Sequence, residues 1–219
     1  MLSQTTLIDK LVQMFGKMHA APMSVPMDPS LKLQHVTCTS LPAADQDELS
    51  KFPCHSLIGC LLHLAVGTCL DISYAVQQLS QFLDTYSYVH LHAAIWVVLY
   101  LKGSWDVKLH LGGSNISLLG FLDSDWVKCL DMRCSVRGYA FSGVILWNAH
   151  KWKMVAASSC EAKYIAGFEA TKECIWLCTL LLEIGMASTS ATTILCDNSA
   201  TITVRFTLIL RWLLVTIEQ

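Results

Sequence analysis

Residues 116–126 constrain the fold most strongly. A largely apolar run from Ile116 to Leu122 passes straight into Asp123-Ser124-Asp125-Trp126. With Gly113 behind it and acids ahead, the run reads as a buried strand that ends in a polar site. Further on, Ser158-Ser159-Cys160-Glu161-Ala162-Lys163-Tyr164 opens a long helix, and Ser158 and Glu161 stand at the spacing of a capping box. Carboxylates delivered by a strand end and a helix start can hold divalent metal, so nuclease chemistry is the first candidate.

At 219 residues the chain is long enough for one large domain or two small ones. Hydrophobic residues make up 53% and charged residues 15%, against ~25% charged in a typical domain. No run approaches the ~18 apolar residues of a membrane span, and Leu57 to Val66 is interrupted by His63. The N-terminus carries Asp9 and Lys10 inside an amphipathic pattern, which is not the pattern of a signal peptide. A net charge of −2 supplies no global field for nucleic acid, so binding would rest on local patches. Ten cysteines without a secretory signal point to reduced thiols in an intracellular protein. Cys174 and Cys178 lie one helical turn apart and, with Cys160 and His150, form a conceivable zinc set. Without a CxxC pair, buried small apolar side chains are the expected reading.

In chain order, Leu7, Ile8, Leu11, Val12 and Phe15 share one face of a helix ending near Gly16. Pro22, Pro26, Pro29 and Pro42 then mark an extended linker over about residues 20–50. Helices are expected from Ser56 to Val66, from Asp71 through Tyr74, Ala75, Leu79 and Phe82, and from His90 to Leu101, stopped by Lys102-Gly103. After Gly103 the texture changes. Val107 to Leu111, Ile116 to Leu122, Arg137 to Ile145 and Met154 to Ala157 read as strands, with Gly143 near a hairpin turn. In the long helix, Tyr164, Ile165, Phe168, Ile175, Cys178 and Leu182 form the expected apolar stripe, and Gly185 ends it. Thr192 to Cys196 is a short strand leading into Asp197-Asn198. The expected fold class is α/β, a mixed sheet with packed helices preceded by a mostly helical segment.

Several motifs in chain order carry a specific resemblance. They are Tyr100-Leu101-Lys102-Gly103-Ser104, Gly120-Phe121-Leu122-Asp123-Ser124-Asp125-Trp126, Arg133-Cys134-Ser135-Val136-Arg137-Gly138-Tyr139, Ser158-Ser159-Cys160-Glu161-Ala162-Lys163-Tyr164, Glu173-Cys174-Ile175-Trp176-Leu177 and Cys196-Asp197-Asn198-Ser199-Ala200. Residues 95–204 resemble the ribonuclease H domain at the end of a Copia-type LTR retrotransposon Pol polyprotein. Pro26-Met27-Asp28-Pro29, Ser56-Leu57-Ile58-Gly59-Cys60-Leu61-Leu62-His63-Leu64 and Asp71-Ile72-Ser73-Tyr74-Ala75-Val76 are similar to the tail of the same polyprotein's reverse transcriptase. The resemblance spans residues 3–204 and implies a thumb- or connection-like helical tail over 1–103. A ribonuclease H-like domain would follow over 104–204, then a divergent apolar tail over 205–219.

The activity implied is cleavage of the RNA strand of an RNA–DNA hybrid by two Mg²⁺ (or Mn²⁺) ions held by four acids. Carried over one by one, the first acid falls on Asp123 and the third on Asp197. The second, a helix Glu, falls on Lys163, and no aspartate follows Asp197 to serve as the fourth. Glu161 is the alternative helix ligand. It sits two residues earlier, roughly 200° around the helix from Lys163, and its capping role accounts for it. A carboxylate ~4 Å from a cation is worth roughly 4 kcal/mol per unit charge at an effective dielectric near 20, so replacing one by ammonium should cost metal affinity orders of magnitude. Impaired catalysis is therefore expected. An active enzyme using Asp123, Glu161 and Asp197, and a non-catalytic nucleic-acid-binding or interaction module, are the alternatives. Lys151 and Lys153 beside Trp152 form a candidate hybrid contact, either that or a solvated turn, with Asn198 as a further candidate. Of Trp126, Trp147, Trp152 and Trp176, at least three are expected to fill the core or its edge rather than stack on bases.

Overall fold

The computed structural model describes residues 1–15, 20–35, 49, 51–110, 118–125, 136–141, 146–151, 158–186, 191–197, 209–210 and 213–218. The chain divides into two compact units, Met1–Leu109 and His110–Gln219.

The first unit is helical. Helix α1 (Thr5–Phe15) buries Ile8 and Leu11, as its amphipathic period predicts. Helix α2 (Cys54–Gly67) buries Leu57, Ile58, Leu61, Leu64 and Ala65. It closes where the Thr68 N–H returns to the Leu64 carbonyl at 3.0 Å and the Thr68 hydroxyl donates to Gln4 Oε1 at 2.7 Å. A single 3₁₀ turn, Leu70–Ile72, leads into α3 (Ser73–Ser80). Asp71 thus lies in that turn, its carboxylate accepting the Ile72 N–H at 3.1 Å and the Tyr100 hydroxyl at 2.6 Å. The predicted extension of α3 to Phe82 does not occur, because i→i−3 bonds from Gln81 and Phe82 tighten its end into a turn. Phe82 is buried all the same.

Helix α4 (Tyr88–Gly103) begins at a capping box of Ser87 and His90, in which His90 Nδ1 accepts the Ser87 N–H at 3.1 Å. Its Ala94, Val97, Val98 and Leu101 join the residues of α1, α2 and α3 in one apolar core. The strand predicted over Val107–Leu111 is not formed in its described part. Leu109 makes an isolated antiparallel bridge to Leu2, two bonds of 2.9 Å. Alternation alone does not make a strand without a neighbouring ladder.

Among the described residues, the second unit is a six-stranded sheet with a long helix. Strands β1 (Leu119–Asp125), β2 (Val136–Phe141), β3 (Trp147–Lys151), β4 (Thr192–Cys196), β5 (Ile209–Leu210) and β6 (Leu213–Glu218) lie in the order β3-β2-β1-β4-β6-β5. The pairs β1–β2 and β2–β3 are antiparallel, and β1–β4 and β4–β6 are parallel. Helix α5 (Ser159–Glu183) lies between β3 and β4 in the chain. This is the mixed α/β, ribonuclease H-like layer, preceded by a mostly helical segment.

Strand β1 differs from expectation in its end. It continues through both acids, with Asp123 opposite Gly138 and Asp125 opposite Val136, because β2 supplies ladder partners past the apolar run. Strand β3 was not anticipated; it includes Lys151, which therefore sits in an edge strand opposite Val136 rather than in a solvated turn. The predicted strand at Met154–Ala157 and the turn at Gly143 lie outside the described residues.

Helix α5 also turns a different face to the core. Its buried stripe is Ala162, Ala166, Ala170, Cys174 and Leu177, whereas Tyr164, Phe168, Trp176 and Leu182 are exposed. Small side chains at every fourth position let the helix lie close against the Leu118, Leu122, Phe141 and Ile194 side chains of the sheet unit. Trp176 is accordingly not a core residue. No helix among the described residues is long and apolar enough to cross a membrane.

Candidate active site

Burial alternates along β1: Gly120, Leu122 and Ser124 are buried, and Phe121 and Asp123 are exposed. The parallel register sets Leu122 beside Cys196. The next residue on each chain segment is an aspartate, so Asp123, on β1, and Asp197, just past the end of β4, emerge side by side where paired strands run about 4.8 Å apart. Their side chains are 72% and 68% exposed. Asp123 Oδ1 accepts the Ser124 N–H at 2.7 Å.

Helix α5 delivers the third member. Ser158 is its N-cap, with the hydroxyl accepting the Glu161 N–H at 3.1 Å, so the Ser158 arm of the predicted cap is present. Lys163 follows in the next turn. Its ammonium hydrogen-bonds Asp197 Oδ1 and lies 3.5 Å from Asp123 Oδ1, and its side chain is only 12% exposed. Burial alone would lower its pKa, but the hydrogen bond to Asp197 and the charges of Asp197 and Asp123 outweigh that, and the ammonium form is held above the usual lysine range.

Of the residues singled out from sequence, the structure therefore brings together Asp123, Asp197 and Lys163. Glu161 sits in the first turn of α5, exposed. Among the described residues no three His, Cys, Asp or Glu side chains converge on a common point, so Glu161 does not join the aspartate pair; the Cys160 side chain of the conceivable zinc set lies outside what the structure describes. Cys174 is buried and Cys178 half-buried, with Cys178 Sγ 3.5 Å from Thr192 Oγ1. Hydrogen bonding to Cys178, added to burial, pushes the Cys174 thiol up. Trp152, Lys153 and Asn198 lie outside the described residues.

One residue near the site had gone without a role in the sequence reading. Arg137 pairs in register with Ser124, is buried, and donates from Nη1 to the Ile165 carbonyl of α5 at 3.4 Å. Burial lowers its pKa, opposed by the charge of Glu169. The available signal was an arginine inside a strand pattern, where an unpaired charge is costly.

The chain is 35% identical over 204 residues to the retrovirus-related Pol polyprotein from transposon TNT 1-94 of Nicotiana tabacum, a match covering 92% of this chain and 15% of that protein. It is 36% identical over 201 residues to the retrovirus-related Pol polyprotein from transposon RE1 of Arabidopsis thaliana, covering 90% of this chain and 13% of the relative. The polyprotein from transposon RE2 of the same plant is 34% identical over the same length. The chain belongs to the Copia-type retrotransposon Pol family. It spans only 13–15% of the length of these relatives. No family model matches the chain, and no solved structure matches it significantly.

The divalent ions implied by the resemblance to this family's ribonuclease H domain do not fit the residues present. The ammonium of Lys163 already contacts both carboxylates that would hold an ion. A dication within ~4 Å of that ammonium would meet a repulsion of roughly 8 kcal/mol at an effective dielectric near 20, twice the unit-charge value. Two carboxylates opposed by one ammonium leave a net charge of −1, so the attraction for a dication falls to about half that of the bare pair, and the ammonium occupies the position between them.

Proposed function

We propose that the chain is a retrotransposon-derived ribonuclease H-like module whose ancestor hydrolysed the RNA strand of RNA–DNA hybrids with two Mg²⁺ or Mn²⁺ ions, and in which that hydrolysis is impaired. Residues 104–204 carry the nuclease-like part, and residues 1–103 are the tail of a reverse transcriptase. The observation that supports this reading is the contact of Lys163 with Asp123 and Asp197, at the helix position where the resemblance calls for a carboxylate. Without a third acid the site has no means of activating water through a pair of metal ions and stabilising the leaving oxygen. Cleavage of a labelled RNA–DNA hybrid in Mg²⁺ and in Mn²⁺ tests the proposal. The expected result is turnover no greater than that of Asp123→Asn. Metal-dependent turnover abolished by Asp123→Asn would overturn it and favour an active enzyme. Salt-sensitive hybrid binding without turnover would favour a binding module.

A further inference from the structure

We infer that the Lys163 ammonium is a tethered replacement for a divalent ion, which makes the Asp123–Asp197 end of the sheet independent of metal while leaving a latent Mg²⁺ or Mn²⁺ site one substitution away. The argument starts from the strand register. Because Leu122 pairs with Cys196 in a parallel ladder, two aspartates must stand side by side whenever the sheet forms. Like charges placed side by side repel each other, so a cation between them relieves the pairing.

Helix α5 supplies one. Lys163 projects from it with a side chain largely withdrawn from solvent and a terminal nitrogen shared between the two carboxylates. A lysine is an apt tether: its flexible four-carbon stem packs while the compact ammonium donates up to three hydrogen bonds. An ion from solution would have to compete with a cation held covalently beside its site, present at a high effective concentration whatever the medium. The carboxylates themselves remain exposed, one on β1 and the other just past the end of β4. Exchanging the ammonium for a carboxylate would therefore bring three acids to one point without rebuilding the fold.

This inference deepens the functional reading and rests on it only for the kind of ion displaced, so its test reads metal binding rather than hydrolysis. Thermal midpoints are compared in EDTA, Mg²⁺ and Mn²⁺ for the full chain and for Lys163→Met and Lys163→Glu, with Mn²⁺ affinity measured by electron paramagnetic resonance. The unmodified chain should show the same midpoint in all three media. Lys163→Met should lose stability in EDTA and regain part of it with Mn²⁺, and Lys163→Glu should bind Mn²⁺ about a hundred-fold more tightly than the unmodified chain. A midpoint of Lys163→Met in EDTA equal to that of the parent would overturn the tethered-ion role, and so would Mn²⁺ binding by the parent as tight as by Lys163→Glu.

If either variant fails to fold, the unmodified chain still decides the matter. Mn²⁺ should leave the amide signals of Leu122–Ser124 and Cys196–Asp197 unbroadened, and selective broadening there would refute the inference. Mn²⁺ binding by a chain that does not cleave would refute it while leaving the functional reading intact.

Discussion

Gly120 offers a sharp test of how the packing beneath the site holds the acids in place. It lies on β1, two residues before Leu122, with Phe141 and Ile194 as its register neighbours on the flanking strands. A Cβ added there would stand 2.9 Å from Phe141 Cε1 and 3.0 Å from Ile194 Cγ1, with Phe141 Cδ1 at 3.3 Å. Those neighbours are 1% and 0% exposed, so neither can swing into solvent to relieve the contact. Two effects oppose each other in Gly120→Ala. Restricting the unfolded chain stabilises by about 0.4–1 kcal/mol, whereas overpacking a closed core costs about 1–3 kcal/mol. Overpacking wins, and the net loss should be about 1–2 kcal/mol, or roughly 5–15 °C in the midpoint of a unit this size.

Urea unfolding of the parent, Gly120→Ala, Phe141→Leu and the double variant measures both the loss and its origin. Removing part of the ring should make the alanine less costly, giving a coupling of about 0.5 kcal/mol or more. An alanine that is neutral or stabilising, or one whose cost is the same in both backgrounds, would refute the steric reasoning. Because Asp123 follows three residues later on the same strand, hydrogen exchange at Ser124, whose amide is bonded to Asp123, reports whether the disturbance reaches the acids.

Three further outcomes are expected. Ala170→Leu, at a fully buried position on α5, should destabilise by about 1–3 kcal/mol, while Phe168→Ser on its exposed face should stay within about 0.5 kcal/mol of the parent; equal effects in denaturant titration would contradict the assigned helix face. Burial first, then the hydrogen bond to Asp71, pushes the Tyr100 phenol up to about 12. Stability that depends on the protonated phenol is complete below its ordinary value near pH ~10 and is lost as pH rises through about 12, so Tyr100→Phe should flatten the alkaline limb of a stability–pH curve. Lys163 has a raised folded value, so its contribution is full below the ordinary lysine value of ~10.4 and disappears as pH climbs through the folded one. Lys163→Met should remove that part of the alkaline loss, and an unchanged limb would count against the ion contacts.

The helices of the first unit were legible because α1 repeats apolar residues at helical spacing, while α2 and α4 are long, mostly apolar runs that end at local signals such as Gly67 and Gly103. The aspartates were legible for a similar reason, since an apolar run leading into acids announces a buried strand with a polar exit. Strand β3 was not. Trp147-Asn148-Ala149-His150-Lys151 has little strand pattern of its own, and its pairing with β2 makes it one. The buried face of α5 is not legible from its large apolar residues, because close approach to the sheet selects alanine and cysteine instead. At the site, the lysine was visible as a departure from the family pattern. Its contact with both acids was not, because that depends on a parallel register between strands distant in the chain.

That register has a consequence for the order of events during folding. Antiparallel β1–β2 and β2–β3 pairs join segments that follow one another in the sequence, but β1 can meet β4 only after the whole of α5 has been made. Distant pairings of this kind close late, since the chain entropy they remove is lost before any contact compensates for it. Lys163 and Asp197 are 34 residues apart, so a nascent chain halted before β4 would already hold the lysine and the first aspartate but not the second. The Lys163–Asp197 contact is therefore a completion signal for the site, though not for the sheet, since β5 and β6 follow β4 in the chain: a probe placed on it would report the arrival of the last element the site requires.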